Sequence, residues 1–165
     1  MASFFGILTL NMDTNETKLK DFLVIAKKAT YATSGEGGER RLQDGTKEFV
    51  FKKGLYTYRD RYHGSNPFIG QEIVFNNKKP IWGMNYCGRV INKTIDSHEV
   101  YSFLKKALQK VTKHNPYRGP RISSYGQWKY SCTVKGSIGA FSGQEKIFWD
   151  KKKAYELLFH GGVIK

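Results

Sequence analysis

Phe68-Ile69-Gly70-Gln71-Glu72-Ile73-Val74-Phe75-Asn76-Asn77-Lys78-Lys79 is the stretch that decides the fold, because it occurs twice. The second copy is Phe141-Ser142-Gly143-Gln144-Glu145-Lys146-Ile147-Phe148-Trp149-Asp150-Lys151-Lys152. From Pro67 to Ile91 and from Ala140 to Ile164 the offset stays at 73 residues without a gap, and 10 of the 25 aligned columns are identical. Unrelated segments would share roughly one or two, so the repeat is an architectural signal. It extends backwards with one inserted residue, matching Gly54-Leu55-Tyr56-Thr57-Tyr58 to Gly126-Gln127-Trp128-Lys129-Tyr130.

Around the repeat, apolar spacing predicts a helix from Asn15 to about Ala32, capped by Thr14 or Asn15, with a stripe through Leu19, Phe22, Leu23, Ile25, Ala26 and Ala29. A second helix is predicted from Asp96 or Ser97 to about Thr112, with Val100, Phe103, Leu104, Ala107, Leu108 and Val111 on one face. Strands are expected at 48–51, 55–63, 69–75 and 81–89, and again at 125–135, 142–149 and 154–160, separated by turn residues. The apolar start, Met1 to Leu10, reads as a strand or docked arm. The predicted fold is an α+β domain built by internal duplication of a helix plus a three- to four-stranded antiparallel meander. It forms one domain, 1–165, of two pseudo-symmetric halves, about 15–91 and 97–164.

Strand alternation lets the two copies be read against each other. Tyr56, Tyr58, Asp60 and Tyr62 match Trp128, Tyr130, Cys132 and Val134, which predicts an inner face. Trp82, Met84 and Tyr86 match Tyr155, Leu157 and Phe159 in the same way. Thr57, Arg59, Arg61 and His63, matching Lys129, Ser131, Thr133 and Lys135, should meet water. Glu72 and Glu145 fall on the more apolar face of their strands. A buried carboxylate is costly unless paired or hydrogen-bonded. These acids and Asp60 therefore either fix the meanders through hydrogen bonds or line a pocket.

The net charge is +14 over 165 residues. That favours anionic partners, such as nucleotides, phosphorylated metabolites or nucleic acid. Two loops carry arginines, Ser34 to Arg41 and Pro116 to Arg121, and guanidinium forks suit phosphate. Their spacing matches no P-loop and no dinucleotide fingerprint. Cys87 and Cys132 lack metal spacing and read as free thiols of a reducing, cytoplasmic setting. No segment is long and apolar enough to span a membrane. No nucleophile elbow, zinc motif or kinase set is found, so no metal or cofactor is expected and an enzyme is not indicated.

The segments Ala29-Thr30-Tyr31-Ala32, Tyr58-Arg59-Asp60-Arg61-Tyr62, Asn66-Pro67-Phe68-Ile69-Gly70-Gln71-Glu72, Trp82-Gly83-Met84-Asn85-Tyr86-Cys87-Gly88, Tyr117-Arg118-Gly119-Pro120 and Phe159-His160-Gly161-Gly162 together resemble an uncharacterised prokaryotic domain family. Its members occur alone, and some resemble the C-terminal part of XRE-type helix-turn-helix regulators. Cys87 departs from that pattern, which has a second aromatic after Tyr86, and the chain shows no helix-turn-helix segment of its own. The resemblance implies ligand sensing or partner binding and brings no established activity.

The leading expectation is a non-enzymatic domain that senses or sequesters an anionic, nucleotide-like small molecule in a cleft between the halves. Arg40, Arg41, Arg118 and Arg121 are the expected charge contacts, and Tyr58, Asp60, Glu72, Trp82 and Asn85 the expected lining. Two alternatives are a nucleic-acid binder using the basic surface and a small hydrolase or lyase using Asp60 and Glu72. The sequence leaves the oligomeric state open, a homodimer included.

Overall fold

The computed structural model of the chain describes residues 3–30 and 38–165, with side chains described from Asn15 onward. Helix α1 spans Ser3–Ala29, followed by strands β1 (Arg40–Arg41), β2 (Lys47–Lys53), β3 (Tyr56–Gly64), β4 (Phe68–Asn76) and β5 (Lys79–Val90). Helix α2 (Ser97–Leu108) then precedes β6 (Ile122–Tyr125), β7 (Trp128–Ser137), β8 (Ala140–Trp149) and β9 (Lys152–Val163). The strands form one antiparallel sheet in the order β1-β2-β3-β4-β5-β9-β8-β7-β6.

The architecture corrects the expected α+β fold of two helix-plus-meander halves. Nine strands make a single continuous sheet, and the two described helices are additions to it. The meanders merge because β5 and β9 pair from Trp82↔Val163 to Val90↔Tyr155. Left apart, each would present a long edge of unpaired N–H and C=O groups. The same ladder closes the junction where a cleft between halves was expected.

The register of that ladder is informative. Tyr86 faces Phe159, its own counterpart 73 residues on, and pairs on either side are related by exchange of the two copies. A local twofold axis therefore passes through this pair.

Three further expectations shift. Residues 3–10 are helical rather than strand or arm, which places Thr14 and Asn15 inside α1 instead of at its cap. Residues 3–14 contain no Pro, and the one Gly costs only about 1 kcal/mol in a helix. The strand expected from Tyr125 to Lys135 is split into β6 and β7 by a turn at Gly126, whose φ is +56°. The stretch from Tyr31 to Gly37, including the first half of the first basic loop, lies outside the described residues.

Leu19, Phe22, Leu23 and Ala26 of α1 and Val100, Phe103, Leu104, Ala107 and Leu108 of α2 pack on one face of the sheet, against Tyr58, Val74, Trp82, Met84, Tyr130, Ile147, Tyr155 and Leu157. The alternation reading of inner and outer faces matches this burial. Ile25 leaves the expected α1 stripe and is exposed. Asp96 caps α2 by accepting from His98 N. The turns joining β4 to β5 and β8 to β9 hold positive φ at Asn77 and Lys78 and at Asp150 and Lys151. That is the two-residue hairpin geometry whose twist matches the flanking strands.

The repeated glycines make room for rings. Gly70 pairs with Tyr86, and a Cβ there would lie 2.4 Å from the tyrosine Oη. Gly143 pairs with Phe159, and a Cβ there would lie 2.3 Å from its Cζ. Phe68 lies over Gly88 and Phe141 over Gly161 in the same fashion, with 2.7 and 2.9 Å to the would-be Cβ. The repeated Phe and Gly columns therefore encode interlocked cross-strand packing.

Candidate functional site

The inner face of the sheet carries three carboxylates that its aromatic neighbours would otherwise exclude. Asp60 and Glu72 sit opposite each other on β3 and β4, and Cys132 and Glu145 occupy the corresponding pair on β7 and β8. Glu72 and Glu145 are fully buried and Asp60 is 3% exposed.

Two cations answer them. Lys27, near the end of α1, donates to Glu72 Oε2 and, at 2.8 Å, to the Tyr117 carbonyl. Arg118 donates through Nε and Nη2 to the two oxygens of Glu145, both at 3.2 Å, and its Nη1 lies 4.0 Å from Glu72 Oε1. Tyr130 and Tyr155 also donate to Glu145, at 2.6 and 3.2 Å. The loop that turns Arg118 inward is pinned by Asn115 Nδ2 on the Gly119 carbonyl (2.6 Å) and by Gly119 N on Tyr130 Oη (3.0 Å). Only Gly fits at 119, since a Cβ would lie 2.7 Å from that hydroxyl.

Asp60 is the acid without a cation of its own. Tyr86 donates to its Oδ1 at 2.6 Å, and no described group donates to Oδ2. Burial, reinforced by the charge of Glu72, pushes the Asp60 carboxyl up to about 7. Burial also pushes the Lys27 ammonium below its usual range, against the pull of Glu72. The Tyr86 hydroxyl is driven well above 10 by burial and then by Asp60. The Cys132 thiol is pushed up to about 12, first by burial and then by Glu145, so it is no reactive thiolate.

Asp60, Tyr86 and Arg118 form the floor of a cavity of about 530 Å³ beneath α2. Phe49, Tyr62, Phe68 and Tyr101 supply aromatic walls, and His98, Ser102 and Lys105 lie at its more exposed margin. The Arg118 guanidinium sits over the Tyr86 ring, 5.5 Å from its centroid.

Of the residues singled out from sequence, Tyr58, Asp60, Glu72, Trp82 and Arg118 come together around this cluster. Glu72 does not line the cavity, so it and Asp60 do not form an acid–base pair facing one space. Asn85 points to the opposite face, where its Oδ1 accepts from Gln71 Nε2 at 2.9 Å. Arg40 and Arg41 form the edge strand β1, where Arg40 pairs with Glu48 at 2.7 Å. Arg121 is exposed and also lies outside the cavity.

Sequence reasoning missed Lys27, Tyr86, Tyr101 and Lys105 as site residues. For Lys27 a signal existed: it lies four residues after Leu23 and follows Ala26, on the buried stripe. The others needed the packing of α2 over β3–β5.

Among the described residues, the fold and site define a broad antiparallel sheet with a buried ionic cluster and an aromatic-walled cavity beneath α2. The chain belongs to the family described as domain of unknown function DUF5680, whose model matches residues 60–164. No curated protein and no solved structure matches it.

Proposed function

We propose that this domain binds an anionic, nucleotide-like small molecule in the cavity beneath α2, without catalysis. The observation that supports it best is Asp60: a carboxyl almost fully buried, with one oxygen held by Tyr86 and the other free of described donors, on the floor of a ring-lined space. A volume of about 530 Å³ suits a ligand of nucleoside size. A planar heterocycle would stack among Phe49, Tyr62, Phe68 and Tyr101 and donate N–H groups to Asp60. A phosphate would reach Lys105 and His98 at the margin. Arg118 is committed to Glu145 and orients the floor rather than holding the phosphate. The domain would sense or sequester such a ligand, the sensing role being the one suggested by the resemblance of some family members to the C-terminal part of XRE-type regulators.

Calorimetry and thermal-shift screening against nucleotides and phosphorylated metabolites test this. A ligand is expected to bind and raise Tm, and Asp60→Ala and Lys105→Glu are expected to weaken it at least tenfold. Arg40→Ala, Arg41→Ala and Arg121→Ala should leave it unchanged. No binder at millimolar concentration would sink the proposal.

A further inference from the structure

We propose that the helix-free face of the sheet binds duplex nucleic acid through its phosphate backbones, independently of the cavity. Both described helices pack on the inner face, and the outer residues of the central strands are open. Two basic stripes border that face. Arg59 and Arg61 alternate along β3, and Lys129 and Lys135 lie on β7 with Lys146 beside them, opposite Ser131. The stripes are five strand positions apart in the sheet, about 24 Å at a spacing of about 4.8 Å.

Acid on this face is already neutralised. Glu48 is paired with Arg40 and Arg61, at 2.7 and 2.6 Å, and Glu156 with Arg89 and Lys153, both at 2.8 Å. What remains is a net positive surface on a chain of charge +14. Between the stripes lie Gln71, Asn85, Gln144 and His160 with the exposed Ile69 and Leu158; the two rings there, Phe75 and Phe148, are half-buried rather than displayed, and the Arg59 guanidinium covers Phe75 at 4.8 Å. A single strand is held largely by stacking on displayed rings, so this face does not suit one. A duplex needs only Lys and Arg placed against phosphates, with polar groups between them, and that is the chemistry displayed.

The test is fluorescence anisotropy of the intact chain with a labelled duplex of arbitrary sequence, over a salt series. Binding is expected at low salt, with log affinity falling against log salt with a slope of about −3 or steeper, since each neutralised phosphate contributes about 0.9. Lys129→Glu/Lys135→Glu should cut affinity at least tenfold and flatten the slope by about 2. Arg59→Gln should weaken binding severalfold. Lys18→Glu/Lys113→Glu, the same charge change on the helix side, should retain nearly full affinity, and circular dichroism with Tm confirms that each variant is folded. The proposal is overturned if no duplex binding is found at about 50 mM salt. It also fails if the helix-side variant loses as much affinity as the Lys129/Lys135 variant. Preference for a single strand, or binding to phosphatidylserine vesicles without duplex binding, overturns it as well.

Discussion

Tyr86 and Phe159 face each other across the centre of the sheet, and the regions around them have the same frame and opposite contents. On the Tyr86 side, the ring covers Gly70, its hydroxyl holds Asp60, and a cavity opens beyond it. On the Phe159 side, the ring covers Gly143, the position of Asp60 is Cys132, and Tyr117 packs against Phe141 at 4.4 Å and Phe159 at 6.4 Å. One region is polar and open and the other apolar and filled. The shared columns are those that build the sheet, and the chemistry sits where the copies disagree. Glu72 and Glu145 look like active-site acids by position, yet each is consumed by a buried cation. Asp60, which has no acidic counterpart, is the acid left to face a space.

The comparison can be broken most severely at Glu145. Glu145→Leu would strand Arg118 and two tyrosine hydroxyls in the core, and a loss of about 3–5 kcal/mol is expected in denaturant titration. Gly143→Ala should cost less, about 1–3 kcal/mol, by forcing Phe159 off its seat. Gly70→Ala should match it if the two regions share one packing rule. Asp60→Asn sharpens the contrast through pH. Because folding raises this carboxyl from near 4 to about 7, stability falls as pH rises through that window and stays low above it. At pH about 8 the variant, which carries no charge to bury, should exceed the parent by up to about 4 kcal/mol, with the gap closing toward pH about 4. A flat difference across that range would show that Asp60 is not the strained acid. The smallest effect is expected at the turns, where Lys78→Gly and Lys151→Gly should each stabilise by up to about 1 kcal/mol, because both lysines hold positive φ.

The strand faces and the burial of Asp60, Glu72 and Glu145 were legible, because alternation in two aligned copies exposes which side avoids charge. The single sheet was not. Pairing of β5 with β9 is a long-range edge contact, and nothing local in Trp82–Val90 says which strand it will meet. The cavity was half legible. Asp60, facing Cys132 in the alignment, marked the difference between the copies, whereas Tyr101 and Lys105 reach it only through the placement of α2. The arginine loops misled because charge was read without geometry: Arg118 turns inward on the hydrogen bonds of Asn115 and Gly119, while Arg121 stays outside.

The axis through Tyr86 and Phe159 has one more consequence. In a homodimer paired across such an axis, any substitution would appear at both related sites at once, so a cavity could not open on one side while the other side was filled. With both strands in one polypeptide, the related sites are free to change separately. Asp60 and Cys132 are the record of that freedom: the same place in the lattice of hydrogen bonds, released from the obligation to be the same residue.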